Sequence, residues 1–396
     1  MIRISIRKNL IYLLLLFISY TLRRIVIILL DKIFGLDNSL IFSFLMVLGE
    51  IIGGIIIYLY QCNFNKKTKS GKSKFSIELI QNNREMKKAD KHLKIFFLLF
   101  LASFFDLEEY LIITNFIPEI AELSTTTTLR LCSIMTITSS IICIITLIYK
   151  IARHRIFVLI ILGIFSGIII ILDFIFKPKN IYFWKYVISY LLVLCHFIFL
   201  SFTDVIEKYL AEYDYLDTFQ MILSEGIFSF IMISIYSIFQ NPLKEVSVVY
   251  NEISTGQFVL LIILLILYAV FSAGVNIYRI FCNILYSPMT KSLASYFFIS
   301  PFIIYQFIDG NDFIYEGERN YVYFFLNLII CIIIDFLGLV YNEFFILNFW
   351  NLSKETHSEI SRRATKVEGE LVKGKKIEMS DKDDNDNDSE GSDDDN

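Results

Sequence analysis

Ten stretches of about twenty predominantly apolar residues run through this chain, and they decide most of what it can become. They fall at roughly 9–31, 39–61, 93–115, 126–149, 155–175, 182–206, 218–239, 256–280, 288–308 and 320–348. In hydrocarbon every backbone N–H and C=O must be satisfied within the protein, and a helix does this inside a single segment. The chain is 56% hydrophobic, against ~45–50% for an ordinary soluble domain, so lipid rather than water is its solvent. The fold expected is an all-α membrane protein with about ten transmembrane helices. Arg23 and Arg24 lie inside the first span, and the last is long enough to tilt or to extend past the bilayer. The run that begins after MIRISIRKNL continues to Leu30 without an A-x-A-like cleavage site, so it reads as a retained first span.

Orientation follows from Lys and Arg in the loops. If the spans alternate, Arg3, Arg7 and Lys8, the basic loop 62–92, Lys150, Arg153 and Arg155, and the cations of 350–380 all fall on one side. The opposite side has only Lys32, Lys177, Lys179, Lys244 and Arg319. Both termini are therefore expected in the cytosol. The net charge of −4 hides a division: Asp381–Asn396 holds nine acids and one Lys, leaving the preceding residues net positive. That tail is expected to be disordered, following a mixed-charge stretch, 352–378, with helical spacing. Ser380, Ser389 and Ser392 lie among its acids, where either phosphorylation or plain solubilisation fits. The basic runs sit in short loops between spans, which argues against nucleic acid as a partner.

The six cysteines are scattered without a CxxC spacing and read as small apolar packers, so no metal site or disulfide framework is expected. GxGxxG, GxxxxGKS and HExxH do not occur, which leaves no motif for a nucleotide-driven pump or a zinc hydrolase. No cofactor and no catalytic residue is expected.

Ten spans divide into two halves of five, and an odd number of spans per half inverts one half relative to the other. The second span contains LGE at Glu50 and the seventh LSE at Glu225. The fourth begins TTTTLRLCS and the ninth SPMTKSLAS, which aligns Thr128 with Thr290, Leu131 with Leu293, Ser133 with Ser295, and sets Arg130 beside Lys291. The expected organisation is two inverted five-helix repeats, 1–175 and 176–350, with the basic cytosolic loop 62–92 in the first and a cytosolic tail at 351–396. The joint between them, Ser201–Phe230, carries Asp204, Glu207 and Glu225.

Two segments carry a family resemblance. EKYLAEYDYLDTFQMILSEGIF (Glu207–Phe228) resembles the region around spans six and seven of the drug/metabolite transporter superfamily, and most nearly its solute carrier family 35 branch, F-type members. NIYRIFCNILYSPMTKSLASYF (Asn276–Phe297) is similar to that family's connection from span eight to span nine, though a GALN-like signature of the sugar-nucleotide members does not occur before it. The resemblance implies a carrier whose cavity lies between the halves, lined largely by the first, third, fourth, sixth, eighth and ninth spans.

Ionisable groups inside spans are costly and mark functional sites. Asp106 and Glu109, at i and i+3, share a face of the third span and could line a wet cavity that takes up and releases protons, or cap the helix in the interface. Glu50 and Glu225 lie among small residues, Gly49 and Gly53, Ser224 and Gly226; they read either as gating carboxylates or as framework groups joining helices. Arg130 and Lys291 start spans four and nine, where a helix N-terminus and a cation attract anions, or where both side chains snorkel to headgroups. Ser287 and Pro288 mark a firm start for span nine. Asn276 and Arg279 lie one turn apart, and Arg279 is expected to pair with Asp204, Glu207 or Glu225. Arg23 and Arg24 could pair with Glu50, and His196 could face Thr203 and Glu207. Asp204 and Glu207 themselves are expected near the cytosolic surface.

The function expected is secondary transport or exchange of a small polar or charged metabolite by alternating access, with proton coupling as an option. The alternatives are a non-transporting scaffold or receptor acting through its cytosolic loop and tail, and a polytopic lipid-modifying enzyme, for which the histidines are few. Expected partners are the lipid bilayer, a small-molecule substrate, protons and, as an option, a second copy of the chain. An endomembrane location is expected over the plasma membrane.

Overall fold

The computed structural model describes residues 2–4, 11–36, 39–68, 88–112, 125–148, 151–176, 182–239, 254–309, 313–315, 318–347, 352 and 356. The basic stretch 69–87, residues 177–179 and the acidic tail lie outside them.

Eleven helices account for almost all described residues: α1 Ile11–Phe34, α2 Ser39–Thr68, α3 Lys88–Leu111, α4 Thr125–Arg130, α5 Ser133–Leu147, α6 Arg153–Ile175, α7 Phe183–Glu212, α8 Thr218–Phe239, α9 Thr255–Leu285, α10 Pro288–Asp309 and α11 Tyr321–Tyr341. Seven of them, α1, α2, α6, α7, α8, α9 and α11, are long and apolar enough to cross a membrane. The other three predicted spans coincide with α3, with the α4–α5 pair and with α10, whose apolar runs are cut by charge or by a break.

Local chemistry sets the ends. Ser254 caps α9 in a capping box, its side chain accepting from the Gln257 amide while Gln257 reaches back to the Ser254 N–H. Ser287 Oγ accepts from the Thr290 amide at 3.1 Å, and Pro288 opens α10. The predicted single span 126–149 is two helices. After Arg130 the amides of Cys132, Ile134 and Met135 each bond three residues back, a tight 3₁₀ passage between α4 and α5.

Helix α2 lies between α8 and α9, and 56% of its apolar window is buried, against 28% for α1 and α6. Glycine makes this possible. A Cβ on Gly49 would stand 2.8–2.9 Å from the α9 backbone at Ala273 and Ala269, and one on Gly54 would stand 2.9–3.0 Å from Leu223 of α8. Gly226 of α8 returns the contact, lying against Ile51 and Glu50. The GEIIG sequence thus packs backbone to backbone, as small-xxx-small pairs do in lipid. The outer faces of α1, α6 and α9 keep large aliphatics exposed, among them Ile11, Leu14, Ile160, Ile164, Ile171, Ile263 and Ile266, the surface a hydrocarbon solvent would cover.

By contacts the chain groups into two units. The larger, Lys8–Lys150 with Leu159–Gly338, contains the helix bundle. The smaller, Met1–Arg7 with Ile151–Val158 and Leu339–Asn396, contains an antiparallel ribbon that pairs β1 (Ile2–Ile4) with β4 (Phe345–Leu347). Within it Arg155 Nη2 lies 3.4 Å from Glu343 Oε1. In the larger unit a second short ribbon joins β2 (Ile314–Tyr315) to β3 (Glu318–Arg319).

Candidate functional site

Helix α9 presents Asn276, Arg279 and Asn283 along one face, at i, i+3 and i+7, and all three are buried. Arg279 is the hub. One of its terminal nitrogens, Nη1, pairs with Asp106 of α3. The other lies 2.8 Å from Glu207 of α7 and 3.5 Å from Glu225 of α8. One turn further on, Asn283 Nδ2 donates to Glu207 Oε2 at 2.5 Å and to Asp204 Oδ1 at 3.0 Å. Asp204 in turn holds Lys291 of α10, whose Nζ is 2.6 Å from Oδ1. Glu50 of α2 completes the group, with Asp106, Arg279 and Glu225 as its charged neighbours.

Asp204 and Glu207, expected near the cytosolic surface, are both 0% exposed, so they are not open to solvent. Helix α7 does not stop where the apolar run ends at 206 but continues to Glu212, which carries these acids inward among five other helices. The reading of Lys291 and Arg130 as open anion contacts is corrected as well, since each is tied to a buried aspartate. Arg23 and Arg24 do not hydrogen-bond Glu50; they lie over the rings of Tyr20 and Phe302. His196 is buried beside the ring of Phe197. The side chain of Glu109 lies outside the described residues.

In this network five carboxylates, Glu50, Asp106, Asp204, Glu207 and Glu225, face two cations, Arg279 and Lys291. Lys208 is near but engaged elsewhere, donating to the Ile284 carbonyl at 2.7 Å and pairing with Glu212 at 2.9 Å. Several polar atoms have no hydrogen-bond partner: both oxygens of Glu50, Oε1 of Glu225, Nδ2 of Asn276 and Nε of Arg279. Unpaired charge and unsatisfied donors are expensive in a low-dielectric interior. The arrangement has the chemistry to take protons on its surplus carboxylates, and to hold a small ligand that carries both donors and acceptors.

A second buried arginine is arranged differently. Arg130, at the end of α4, places Nη1 2.6 Å from Asp173 of α6 and 2.8 Å from Asn327 of α11, and Nη2 2.9 Å from Thr127. Asp173 is satisfied on both oxygens, by Arg130 and Tyr323 on one and by Tyr190 at 2.7 Å on the other. The ring of Phe313 lies 5.5 Å from the guanidinium. Sequence reading missed Asp173, Tyr190, Tyr323 and Asn327, although Asp173 is an acid within an apolar span and offers the signal that singled out Asp106.

Between the two arginine clusters runs a seam of hydroxyls that also escaped notice. Helix α5 pairs Ser133 with Ser166 at 2.6 Å, Thr136 with Ser292 at 2.7 Å, and Thr138 with Ser201 at 2.6 Å. These bonds tie α5 to α6, α10 and α7, and Ser292 directly follows Lys291. Toward the other end of α7, Lys94 of α3 donates to the Tyr209 hydroxyl at 2.6 Å and pairs with Asp214 at 3.2 Å. A shallow groove between α3 and α8, lined by Phe104, Leu107, Glu108 and Tyr236 among others, does not include the Arg279 network.

No protein-family model matches this chain, and no curated protein matches it either.

Proposed function

We propose that this chain is a secondary carrier that moves a small polar or charged metabolite by alternating access, with the Arg279 network as the charged centre of its path. One observation carries the reading. A network built only to hold helices together would balance its charges and close its hydrogen bonds, because a buried ion pair is weak glue and an unpaired buried charge weakens the fold. Here carboxylates outnumber cations, and donors and acceptors stand unsatisfied beside each other. Such a site is held at a cost that a substrate, protons or both would relieve.

The architecture we propose with it is ten spans in two inverted five-helix repeats, both termini cytosolic. Glu50 and Glu225, equivalent in that repeat, lie beside each other, and Gly226 packs on Glu50. Equivalent residues that touch one another lie near a twofold axis, where the halves of an inverted repeat share a central site. The resemblance of Glu207–Phe228 and Asn276–Phe297 to the solute carrier family 35 branch supports the carrier reading and an endomembrane location. The buried network is sealed in this conformation, so transport requires the helices around it to part.

The test is uptake into proteoliposomes with a panel of metabolites, with and without a pH gradient. Uptake or exchange of at least one compound is expected. Folded protein that moves none of them, and tolerates Asp106→Asn while failing in cells on deletion of its loop or tail, would make it a scaffold instead.

A further inference from the structure

This inference rests on the carrier reading and names its coupling ion and the residue that carries it. Glu50 is 1% exposed, and neither of its oxygens meets a donor. The charged groups that face it are Asp106 from α3, Glu225 from α8 and Arg279 from α9; Glu207 and Asp204 of α7 and Lys291 of α10 lie one layer further. Arg279 directs its terminal nitrogens to Asp106, Glu207 and Glu225, and its Nε reaches no acceptor. Among the described residues no cation hydrogen-bonds Glu50. Its carboxyl and that of Asp106 stand within hydrogen-bond reach of one another, and two carboxylates offer no donor between them. A proton on one of the two makes that contact favourable.

We infer that Glu50 carries a proton in this conformation, donated in a hydrogen bond to the Asp106 carboxylate, and that this carboxyl couples transport to a proton gradient. The balance is simple. When the path opens to water, the Glu50 O–H bond breaks and its proton leaves to water, and Glu50 becomes an anion. That anion then competes with Asp106 for Arg279, so loading and release shift the guanidinium between α2 and α3. Gly49, Gly53 and Gly54 hold α2 against α9 and α8 at backbone distance, so a change in what Glu50 binds acts directly on that packing.

Infrared difference spectroscopy of the reconstituted full chain tests this without any substrate. Wild type minus Glu50→Gln, at neutral pH, is expected to show a protonated-carboxyl stretch that shifts in heavy water. A difference confined to the ionised-carboxylate bands would overturn the inference. If Glu50→Gln does not fold, Asp106→Asn serves: it replaces the carboxylate acceptor by a weaker amide oxygen and leaves Arg279 without that partner, so the same stretch should shift or disappear, and a stretch left unchanged would equally overturn the inference. Where a transported compound is found, Glu50→Gln should lose gradient-driven uptake and keep exchange at equal pH; unchanged gradient dependence would remove the coupling role. A chain that shows the stretch yet moves no compound loses the carrier reading and keeps the protonated Glu50. A carrier without the stretch does the reverse.

Discussion

Arg130 and Arg279 are both buried, both bound to aspartate and both reached by several helices, yet they solve different problems. Around Arg130 one carboxylate meets one guanidinium, and the neutral partners, Tyr190, Tyr323, Asn327 and Thr127, take the remaining bonds except at Arg130 Nε, which stays open as the Nε of Arg279 does. Around Arg279 the carboxylates are in surplus, and polar atoms of Glu50, Glu225 and Asn276 remain open. Balanced and nearly closed is what a fastener needs. Surplus and open is what a binding site needs, because a site that satisfies itself has nothing left for a ligand.

Substitutions break the comparison in order of size. Arg279→Leu should do the most damage, because it leaves several carboxylates buried without a cation; the loss expected is ~3–5 kcal/mol, read as a fall in thermal unfolding midpoint in detergent. Adding Asp106→Asn and Glu207→Gln to that variant should recover part of the loss, since the charge it exposes is then removed. Arg130→Leu should cost less, about 1.5–3 kcal/mol, because Asp173 keeps the hydroxyls of Tyr190 and Tyr323. Equal losses for the two arginines would remove the distinction drawn between them. Lys94→Met should be the mildest, within ~1 kcal/mol in the same assay, because the Lys94–Asp214 pair is a third open to water on the lysine side.

The helices were legible because an apolar run of span length has few alternatives in lipid, and the Ser287–Pro288 start of α10 because capping is local chemistry. The burial of the acids was not. Asp204 and Glu207 sit at the end of an apolar run, and hydropathy places such residues at a surface. Helix α7 continues past them to Glu212, a further turn and a half or about 8 Å, and packing against α3, α9 and α10 buries them. Asp173 likewise lies near the end of an apolar run, a few residues before Lys177. The break between α4 and α5 has no Gly or Pro to announce it; it follows Arg130, whose bonds to α6 and α11 are long-range and leave no mark in local sequence. The pairing of Arg279 was readable in part: Glu207 and Glu225 are met as expected, whereas Asp204 pairs with Lys291 instead and Asp106 was not among the expected partners. Asn283 was missed, though it lies one turn beyond Arg279 on the same face.

The most direct test sets the two clusters against each other in one preparation. Asp106→Asn and Asp173→Asn are reconstituted at equal amounts of folded protein, and uptake of a compound carried by the wild type is measured. If the Arg279 network is the transport site and the Arg130 cluster a fastener, Asp106→Asn should lose flux by roughly tenfold or more, ~1.4 kcal/mol at the rate-limiting step, while Asp173→Asn retains most of it. Equal flux in the two variants, or loss confined to Asp173→Asn, would contradict the account.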